Sequence, residues 1–133
     1  MYEYEWKCQW GNADPMGIAY YPRLIDANHQ AGEEFMAEQG VAYWDIPEEY
    51  GIHLPIVEQG TEFKKPVEVG DVLTIAVEPE LGTKSMRLTF TATHEDGAPA
   101  FEGHEQHVAV STETDQSVEV PDGIREALSE FTE

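Results

Sequence analysis

The chain has 133 residues, of which 41% are hydrophobic, enough for one packed domain and too few for two. Its 27 acidic residues outnumber 7 basic ones, which gives a formal net charge of −20. This charge repels a nucleic-acid polyanion, no apolar run is long enough to span a membrane, and one cysteine excludes an internal disulfide or a thiolate-based metal cage. We therefore predict a single domain over residues 1–133 that binds neither nucleic acid nor membrane.

The excess of acidic residues also bears on the compartment. Self-repulsion at this charge destabilises a compact state in dilute buffer, although the apolar and aromatic content is that of a folded protein. At molar salt the screening length falls to about 3 Å, so we predict a high-salt cytoplasm, as in a halophilic archaeon. An ordinary acidic bacterial protein is the alternative. The acidic N-terminus is unlike a signal peptide, and we expect a cytoplasmic location.

The first half of the chain predicts one strand, one loop and one long helix. Polar and apolar residues alternate over residues 2–10, which is typical of a half-buried strand. Gly, Asn, Asp and Pro then crowd residues 11–18, which indicates a loop. Pro22 suits the first turn of a helix, apolar residues recur at helical spacing, and Gly40 supplies a stop.

The second half is predicted to be mostly strands, after a segment over residues 43–50 without a clear pattern. The predicted strands cover residues 53–65, 71–80, 84–94 and 100–112, and a short terminal helix covers residues 121–131. Short turns join the last three strands, which favours an antiparallel meander. A single antiparallel sheet must then cover one apolar helix, so we predict an α+β domain. Its exposed sheet edge predicts a homo-oligomer, either a dimer or a tetramer.

The loop and the helix that follows it resemble a known family. The run Trp10 to Pro22 is similar to the Asp-Pro-x-Gly loop of hotdog-fold thioesterases of the 4-hydroxybenzoyl-CoA thioesterase type. Further motifs at the family's spacing are Leu54-Pro55-Ile56-Val57, Phe63, Gly70-Asp71-Val72-Leu73-Thr74-Ile75 and Lys84-Ser85. The resemblance implies the hotdog fold, with one antiparallel sheet wrapped around a long central helix. It also implies hydrolysis of an acyl- or aroyl-CoA to the free acid and CoA, with CoA as part of the substrate and no separate cofactor.

Asp14 is the predicted catalytic carboxylate. Thioester hydrolysis needs a carboxylate beside the carbonyl carbon and N–H donors where the oxyanion develops, and Asp14 acts as nucleophile or general base. The resemblance implies that the backbone N–H of Tyr21, at the positive end of the helix, polarises the carbonyl. The alternative for Asp14 is capping of a turn or helix. The predicted substrate-binding residues are Gly17, Ile18, Tyr20, Pro22 and His29.

Basic residues are informative because they are scarce. The resemblance implies that Lys84 and Ser85 contact the nucleotide phosphates of CoA, and we predict that Lys64 and Lys65 support them. Isolated surface lysines are the alternative for the Lys64-Lys65 pair. His104 and His107, three apart on a strand, point to opposite faces, and we predict no metal site.

The sequence also departs from the family. Many relatives have His where Tyr21 stands, and many carry an acid near the position of His29. A subtype in which a helix carboxylate does the catalysis therefore stays open, with Glu33 or Glu34 as candidates, although solvent exposure also accounts for both. Two other functions are considered: a non-catalytic acyl-CoA binding or sensing protein on the same fold, and a hydratase or dehydratase, which needs an Asp and a His paired in the pocket.

Overall fold

The computed structural model describes residues 1–132, so the last residue of the predicted domain lies outside the described residues. The predicted long helix is confirmed as α1 (Tyr21–Glu38), with Pro22 in its first turn. The chain leaves α1 through Gly40, whose φ of +82° suits glycine. The buried face of α1 contains Leu24, Ala27, Asn28, Ala31, Gly32, Phe35 and Met36.

Residues 1–132 also form seven strands. These are β1 (Tyr2–Lys7), β2 (Ile52–His53), β3 (Ile56–Phe63), β4 (Val72–Leu81), β5 (Ser85–His94), β6 (Pro99–Val108) and β7 (Val110–Ser111). Five of them make one antiparallel sheet in the order β1-β4-β5-β6-β3, and β2 pairs with β7. The sheet covers α1, as the α+β hotdog prediction requires, and that fold class is confirmed.

The helix lies close against the middle of the sheet because α1 carries a glycine at the contact. A Cβ atom added at Gly32 would lie 3.1 Å from Leu88 Cδ1 and 3.4 Å from Phe90 Cζ. Leu88 and Phe90 are inward-facing, fully buried residues of β5. The alternation of apolar residues along the central strands therefore supplies the inner layer on which α1 packs.

Several predicted element boundaries were wrong. β1 ends at Lys7, because Trp10–Asn12 form a 3₁₀ turn in which the Gln9 N–H donates to Asn12 Oδ1 at 2.8 Å. Trp10, at 84% exposed, is thus outside the core of the chain. The predicted strand over residues 53–65 divides into β2 and β3 at Pro55, which has no N–H to donate to a sheet.

Two further differences concern the second half of the chain. The predicted strand over residues 100–112 becomes β6 and β7, because Val110 and Ser111 leave the main sheet and pair with His53 and Ile52 of β2. The unassigned residues 43–50 contain a short helix, α2 (Ile46–Tyr50), and the terminal helix is α3 (Asp122–Ala127) followed by a 3₁₀ turn. No helix among residues 1–132 is both long and apolar enough to cross a membrane.

Candidate functional site

Asp14 lies in a tightly closed loop before α1. Its own N–H donates to the Ile18 carbonyl at 2.8 Å, and Ala13 forms a bridge with Ala19. Its carboxylate oxygen Oδ1 accepts the Met16 N–H at 2.8 Å and the Ile18 N–H at 3.4 Å. The capping role considered from the sequence is therefore present. It occupies only one oxygen, and Oδ2 accepts no hydrogen bond from residues 1–132, so the carboxylate is oriented and still has an available oxygen.

The same loop brings Asp14 to the N-terminal end of α1. The Tyr20 N–H donates to the Asn12 carbonyl at 2.8 Å, which closes the loop at the residue preceding the helix. Tyr21 is the first helical residue, so its N–H has no acceptor within the helix and lies at the positive end of the helix dipole. The residues predicted to surround this point lie together here: Gly17, Ile18, Tyr20, Tyr21 and Pro22.

A separate cavity of about 330 Å³ lies between α1, α2 and the start of β3. Its walls combine apolar and titratable side chains. The apolar residues are Ile46, Pro47, Leu54 and Ile56, and the polar ones are His29, Glu33, Tyr43, His53 and His107. Of the predicted substrate-binding residues, His29 is the one that lines this cavity.

His29 is held by a buried carboxylate on β6. Its Nδ1 lies 2.9 Å from Glu105 Oε2, and its Nε2 lies 3.4 Å from Glu33 Oε1. Glu105 Oε1 in turn lies 3.4 Å from His107 Nε2, and His107 Nδ1 lies 2.9 Å from the Leu54 carbonyl. Because a carbonyl only accepts, His107 Nδ1 carries a hydrogen. Glu105 thus links two imidazoles at the base of the cavity.

The hydrogen bonds between Glu105 and the two imidazoles influence which groups of this cluster are charged. Burial acts to raise the pKa of Glu105, but hydrogen bonds from His107 and His29 outweigh burial and lower that pKa to about 2. The hydrogen bond to Glu105 raises the pKa of His29, against the opposing effect of burial. At neutral pH Glu105 is therefore ionised, and His29 holds its proton more tightly than a free imidazole does.

Tyr43 lies between the two imidazoles. Its ring is parallel to that of His29, at 1° with centroids 6.1 Å apart, and 23° from that of His107, with centroids 5.7 Å apart. Its hydroxyl is buried and makes no hydrogen bond within residues 1–132. Burial, together with the charges of Glu105 and Glu33, raises the pKa of Tyr43, so the phenol stays neutral.

Within one chain the predicted CoA contacts lie at two ends of the sheet. Lys64 and Lys65 follow β3 and donate their backbone N–H groups to the Ala100 carbonyl, whereas Ser85 pairs with Val108 at the far end of β6. Lys64 Nζ lies 2.7 Å from Glu62 Oε1, and Lys65 Nζ lies 3.7 Å from Asp96 Oδ2. Among the described residues Lys84 forms no ion pair, so its charge is the most available of the three lysines.

Sequence inspection missed a second cation at the Lys84 turn. Arg125 of α3 donates from Nη2 to the Gly82 carbonyl at 2.6 Å and to the Thr83 carbonyl at 3.0 Å. Two of the chain's seven basic residues therefore meet at the β4–β5 turn. No local motif predicts this contact, because it joins residues about forty positions apart.

Sequence inspection also missed Glu105 and Tyr43, and it treated His107 only as a possible metal ligand. The signal was present in β6, since Glu105 and His107 alternate in phase with the buried Phe101 and Ala109. Two polar residues on the inner face of a strand need partners. The opposite orientation of His104, which contacts Glu58 at 2.7 Å on the other face, agrees with the prediction. Within residues 1–132 no group of three or more side chains is arranged to hold a metal ion.

The Asp14 loop and the cavity lie at opposite ends of β3. The Tyr21 ring contacts that of Phe63, the last residue of β3, with centroids 6.2 Å apart, whereas Ile56, the first residue, lines the cavity. A strand of this length spans about 24 Å. A single chain therefore separates the carboxylate from the cavity.

Comparison with known proteins gives one consistent family. A model described as the thioesterase-like superfamily matches residues 8–128. The chain is 29% identical over 121 residues to a 1,4-dihydroxy-2-naphthoyl-CoA hydrolase of Thermosynechococcus vestitus, covering 90% of this chain and 83% of that relative.

Solved structures share the fold over nearly the whole chain. A 1,4-dihydroxy-2-naphthoyl-CoA thioesterase from Synechocystis superposes with a TM-score of 0.90 at 17% identity, covering 97% of this chain and 96% of the other. A gentisyl-coenzyme A thioesterase superposes with a TM-score of 0.82 at 26% identity, covering 96% and 99%. At 17% identity the first of these matches establishes the fold alone.

Proposed function

The chain belongs to the thioesterase-like superfamily, and on that premise we propose that it hydrolyses an aroyl-CoA thioester with Asp14 as the catalytic carboxylate. Membership of the family makes it a thioester hydrolase acting on acyl- or aroyl-CoA. The activities named for its relatives, on 1,4-dihydroxy-2-naphthoyl-CoA and gentisyl-CoA, favour an aromatic acyl group. The observation that carries the proposal is an oriented carboxylate in the loop that leads into α1, whose first residue, Tyr21, has an N–H without a partner in the helix.

Asp14 either supplies the oxygen that attacks the thioester or activates the water molecule that supplies it. Because its Oδ1 is held by the Met16 and Ile18 N–H groups, Oδ2 is directed without a competing partner among the described residues. Asp14 then either attacks the thioester carbon or takes a proton from the water that attacks it. In both routes the C–S bond breaks, the sulfur leaves as the CoA thiolate and takes up a proton, and water provides the second oxygen of the acid.

The N-terminus of α1 stabilises the charge that develops on the carbonyl oxygen. The Tyr21 N–H is unpaired within the helix, and the helix dipole favours negative charge at that point. A fixed backbone donor needs no reorganisation when the oxyanion forms, which is why such donors contribute strongly to acyl transfer. The Tyr21 side chain is not needed for this role, so a Tyr in place of the family's frequent His is compatible with it.

A second copy of the chain completes the site. β3 is an edge strand with three exposed apolar residues, Ile56, Val57 and Phe63. When β3 pairs in antiparallel fashion with its copy, the Phe63 end of one chain meets the Ile56 end of the other. The Asp14 loop of one subunit then approaches the cavity of its partner, which joins the two halves that a single chain separates. The active unit is a dimer, alone or within a tetramer.

The same pairing unites the candidate CoA contacts. Lys64 and Lys65 lie at the Phe63 end of β3 in their own chain, whereas Lys84 and Ser85 lie at the opposite end, near Ile56, where β3 begins. Across the dimer the two groups share one end of the joined sheet. Lys84, free of ion pairs among the described residues and next to Arg125, is the principal phosphate contact, and the Ser85 hydroxyl supports it.

The test is Asp14→Asn, assayed by release of free CoA from benzoyl- and hydroxybenzoyl-CoA. The amide oxygen of Asn accepts the same loop N–H groups, so the loop keeps its shape while the carboxylate charge is lost. We expect kcat to fall by about 10²-fold to 10⁴-fold with CoA affinity and oligomer size retained.

The matched control is Asp115→Asn. Asp115 is exposed and has φ of 58°, a conformation that Asn also adopts readily, and it lies far along the chain from the loop. This control should keep wild-type turnover. Full activity in the Asp14→Asn protein would reject Asp14 as the catalytic carboxylate. The candidate would then become Glu33, since it lines the cavity and Glu34 does not.

A further inference from the structure

We propose that Asp71, the residue before β4, is a positioning residue for the Asp14 carboxylate. It acts through the backbone of residues 67–69, which pair with the Asp14 loop, and makes no contact with the substrate. The inference rests on the proposed function, because it concerns the carboxylate that is proposed to carry out hydrolysis.

A short antiparallel pairing joins the Asp14 loop to the segment that precedes β4. Residues 17–19 of the loop lie beside residues 67–69, with Ile18 directly opposite Glu68. The two hydrogen bonds of this pairing run from the Ala19 N–H to the Val67 carbonyl at 2.7 Å and from the Val69 N–H to the Gly17 carbonyl at 3.3 Å. Because these bonds flank the bridge, the N–H and carbonyl groups of Ile18 and Glu68 point away from each other and need other partners.

Each of these two residues finds its partner in an aspartate. On one side, the Ile18 N–H donates to Asp14 Oδ1 at 3.4 Å, and the Ile18 carbonyl accepts the Asp14 N–H at 2.8 Å. On the other side, the Glu68 N–H donates to Asp71 Oδ2 at 2.8 Å, and the Glu68 carbonyl accepts the Asp71 N–H at 3.0 Å. The pairing is thus held between two aspartates, and a displacement of Glu68 is passed through Ile18 to the Asp14 carboxylate.

Asp71 is itself anchored to the core through its backbone. Its carbonyl accepts the Cys8 N–H at 2.9 Å, and Cys8 is fully buried. On the side chain, His94 Nδ1 lies 3.8 Å from Asp71 Oδ2, which is too far for a hydrogen bond. The side-chain contact that a substitution must preserve is therefore the hydrogen bond from the Glu68 N–H.

The experiment compares Asp71→Ala with Asp71→Asn by release of CoA from benzoyl- and hydroxybenzoyl-CoA. Alanine removes the acceptor for the Glu68 N–H, whereas asparagine keeps an oxygen in the same place. We expect kcat of Asp71→Ala to fall by about 10-fold, because a small misplacement of a reacting group is costly, while KM stays within about twofold of wild type. Asp71→Asn should keep kcat within about threefold of wild type.

Amide hydrogen exchange gives a second readout that does not depend on activity. The exchange rate of the Ile18 N–H, measured by NMR, should rise by at least about 10-fold in Asp71→Ala and stay near the wild-type rate in Asp71→Asn. Melting temperatures should show that both variants are folded at the assay temperature. If Asp71→Ala does not fold, Asp71→Glu, which moves the acceptor by one methylene, takes its place in every comparison.

Asp96→Ala is the matched control. Asp96 Oδ1 accepts the Ala98 N–H at 3.0 Å in the β5–β6 turn, a contact of the same kind in a turn that does not pair with the Asp14 loop. Because Asp96 also pairs with Lys65, the comparison is made on kcat at saturating substrate. The control should keep both the wild-type kcat and the wild-type exchange rate of the Ile18 N–H.

The double variant of Asp71→Ala and Asp14→Asn separates positioning from a general loss of structure. If Asp71 acts through the Asp14 carboxylate, Asp71→Ala leaves the residual turnover of Asp14→Asn unchanged. A wild-type kcat in Asp71→Ala, no recovery in Asp71→Asn, or the same fold-loss in both backgrounds would overturn the inference. Failure of the proposed function is recognised separately, by full activity of Asp14→Asn, and the exchange rate at Ile18 does not depend on that result.

Discussion

Glu105 is an inward-facing carboxylate in a protein whose other acidic side chains are mostly at the surface. It is 5% exposed, and it survives there because His29 and His107 both approach it. Removing one partner of such a cluster leaves a buried group without compensation. The stability of the cavity wall therefore depends on the ionised form of Glu105.

We predict that Glu105→Gln lowers the free energy of unfolding by about 3 kcal/mol at pH 5.5. The folded pKa of Glu105, about 2, lies below its ordinary value of 4.5, so its contribution is complete above about pH 4.5 and is lost as the pH falls toward 2. The pKa of His29 is raised above 6.5, so its contribution is complete below pH 6.5 and is lost as the pH rises through the raised value. The pair is thus most stabilising between about pH 4.5 and 6.5.

Urea unfolding of wild type and Glu105→Gln at pH 3, 5.5 and 9 measures this dependence. The difference between the two proteins should fall to about half or less at pH 3. Glu102→Gln, an exposed carboxylate on the same strand, is the control and should change stability by under about 0.5 kcal/mol. A difference for Glu105→Gln that is the same at all three pH values would contradict the ionised pair.

At the scale of elements, β3 connects the edge of the sheet with both parts of the proposed site. It is an edge strand with exposed apolar residues, a combination that monomeric proteins generally avoid. Its first residue borders the cavity, and its last contacts Tyr21 at the start of α1. We therefore expect pairing of β3 with a copy to govern both assembly and the completeness of the proposed site.

We predict that Val57→Glu dissociates the proposed dimer and reduces turnover by at least about 10-fold. Val57 is 58% exposed in the isolated chain. When Phe63 lies opposite Ile56 of the copy, Val57 lies opposite Glu62, so a carboxylate at position 57 would place two like charges together in the interface. Light scattering gives the mass, and CoA release gives the turnover. Val57→Thr, which keeps the branched shape without a charge, should stay dimeric and active. A Val57→Glu protein that is monomeric and fully active would contradict a site shared between subunits.

The helix and the central strands were predictable because their patterns are local. Apolar residues at helical spacing define α1, and strict alternation defines β4 and β5. The ends of β1, β3 and β6 were not, because they depend on partners distant in sequence, such as Ile52 and His53 of β2, with which Ser111 and Val110 pair after the end of β6. Periodicity describes which face a residue occupies and contains little information on where pairing stops.

The same distinction separates the two parts of the proposed site. The position of Asp14 in a loop before the long helix was predictable because the loop, its glycine and the helix are contiguous in sequence, and its catalytic role stays a prediction. Glu105 was not, since the contact that defines its role joins it to His29, 76 positions away. His29 could be placed on the helix from its spacing, but its orientation by a buried carboxylate requires the sheet to be closed over α1.

At the scale of the whole molecule, the net charge of −20 means that acidic side chains lie close to one another in places. Tyr2 on β1 shows this locally, since burial and the nearby Glu38 and Glu34 raise its pKa to about 12. Both carboxylates are exposed on α1, so salt reaches them. Because like charges at the surface repel one another, they lower stability wherever ions do not screen them.

We predict that the melting temperature rises steadily from about 0.05 M to 2 M KCl, because the screening length shortens from roughly 14 Å to a few Å over that range. Calorimetry across a KCl series measures the rise. The double substitution Glu34→Gln and Glu38→Gln should increase the melting temperature at low salt and reduce the slope, since it removes two of the repelling charges beside Tyr2. A parallel series in sucrose, which does not screen charge, is the control. In sucrose the melting temperatures of both proteins should rise with the same slope. A flat melting temperature in KCl, or equal slopes for wild type and the double variant, would contradict adaptation to a high-salt cytoplasm and favour an ordinary acidic protein.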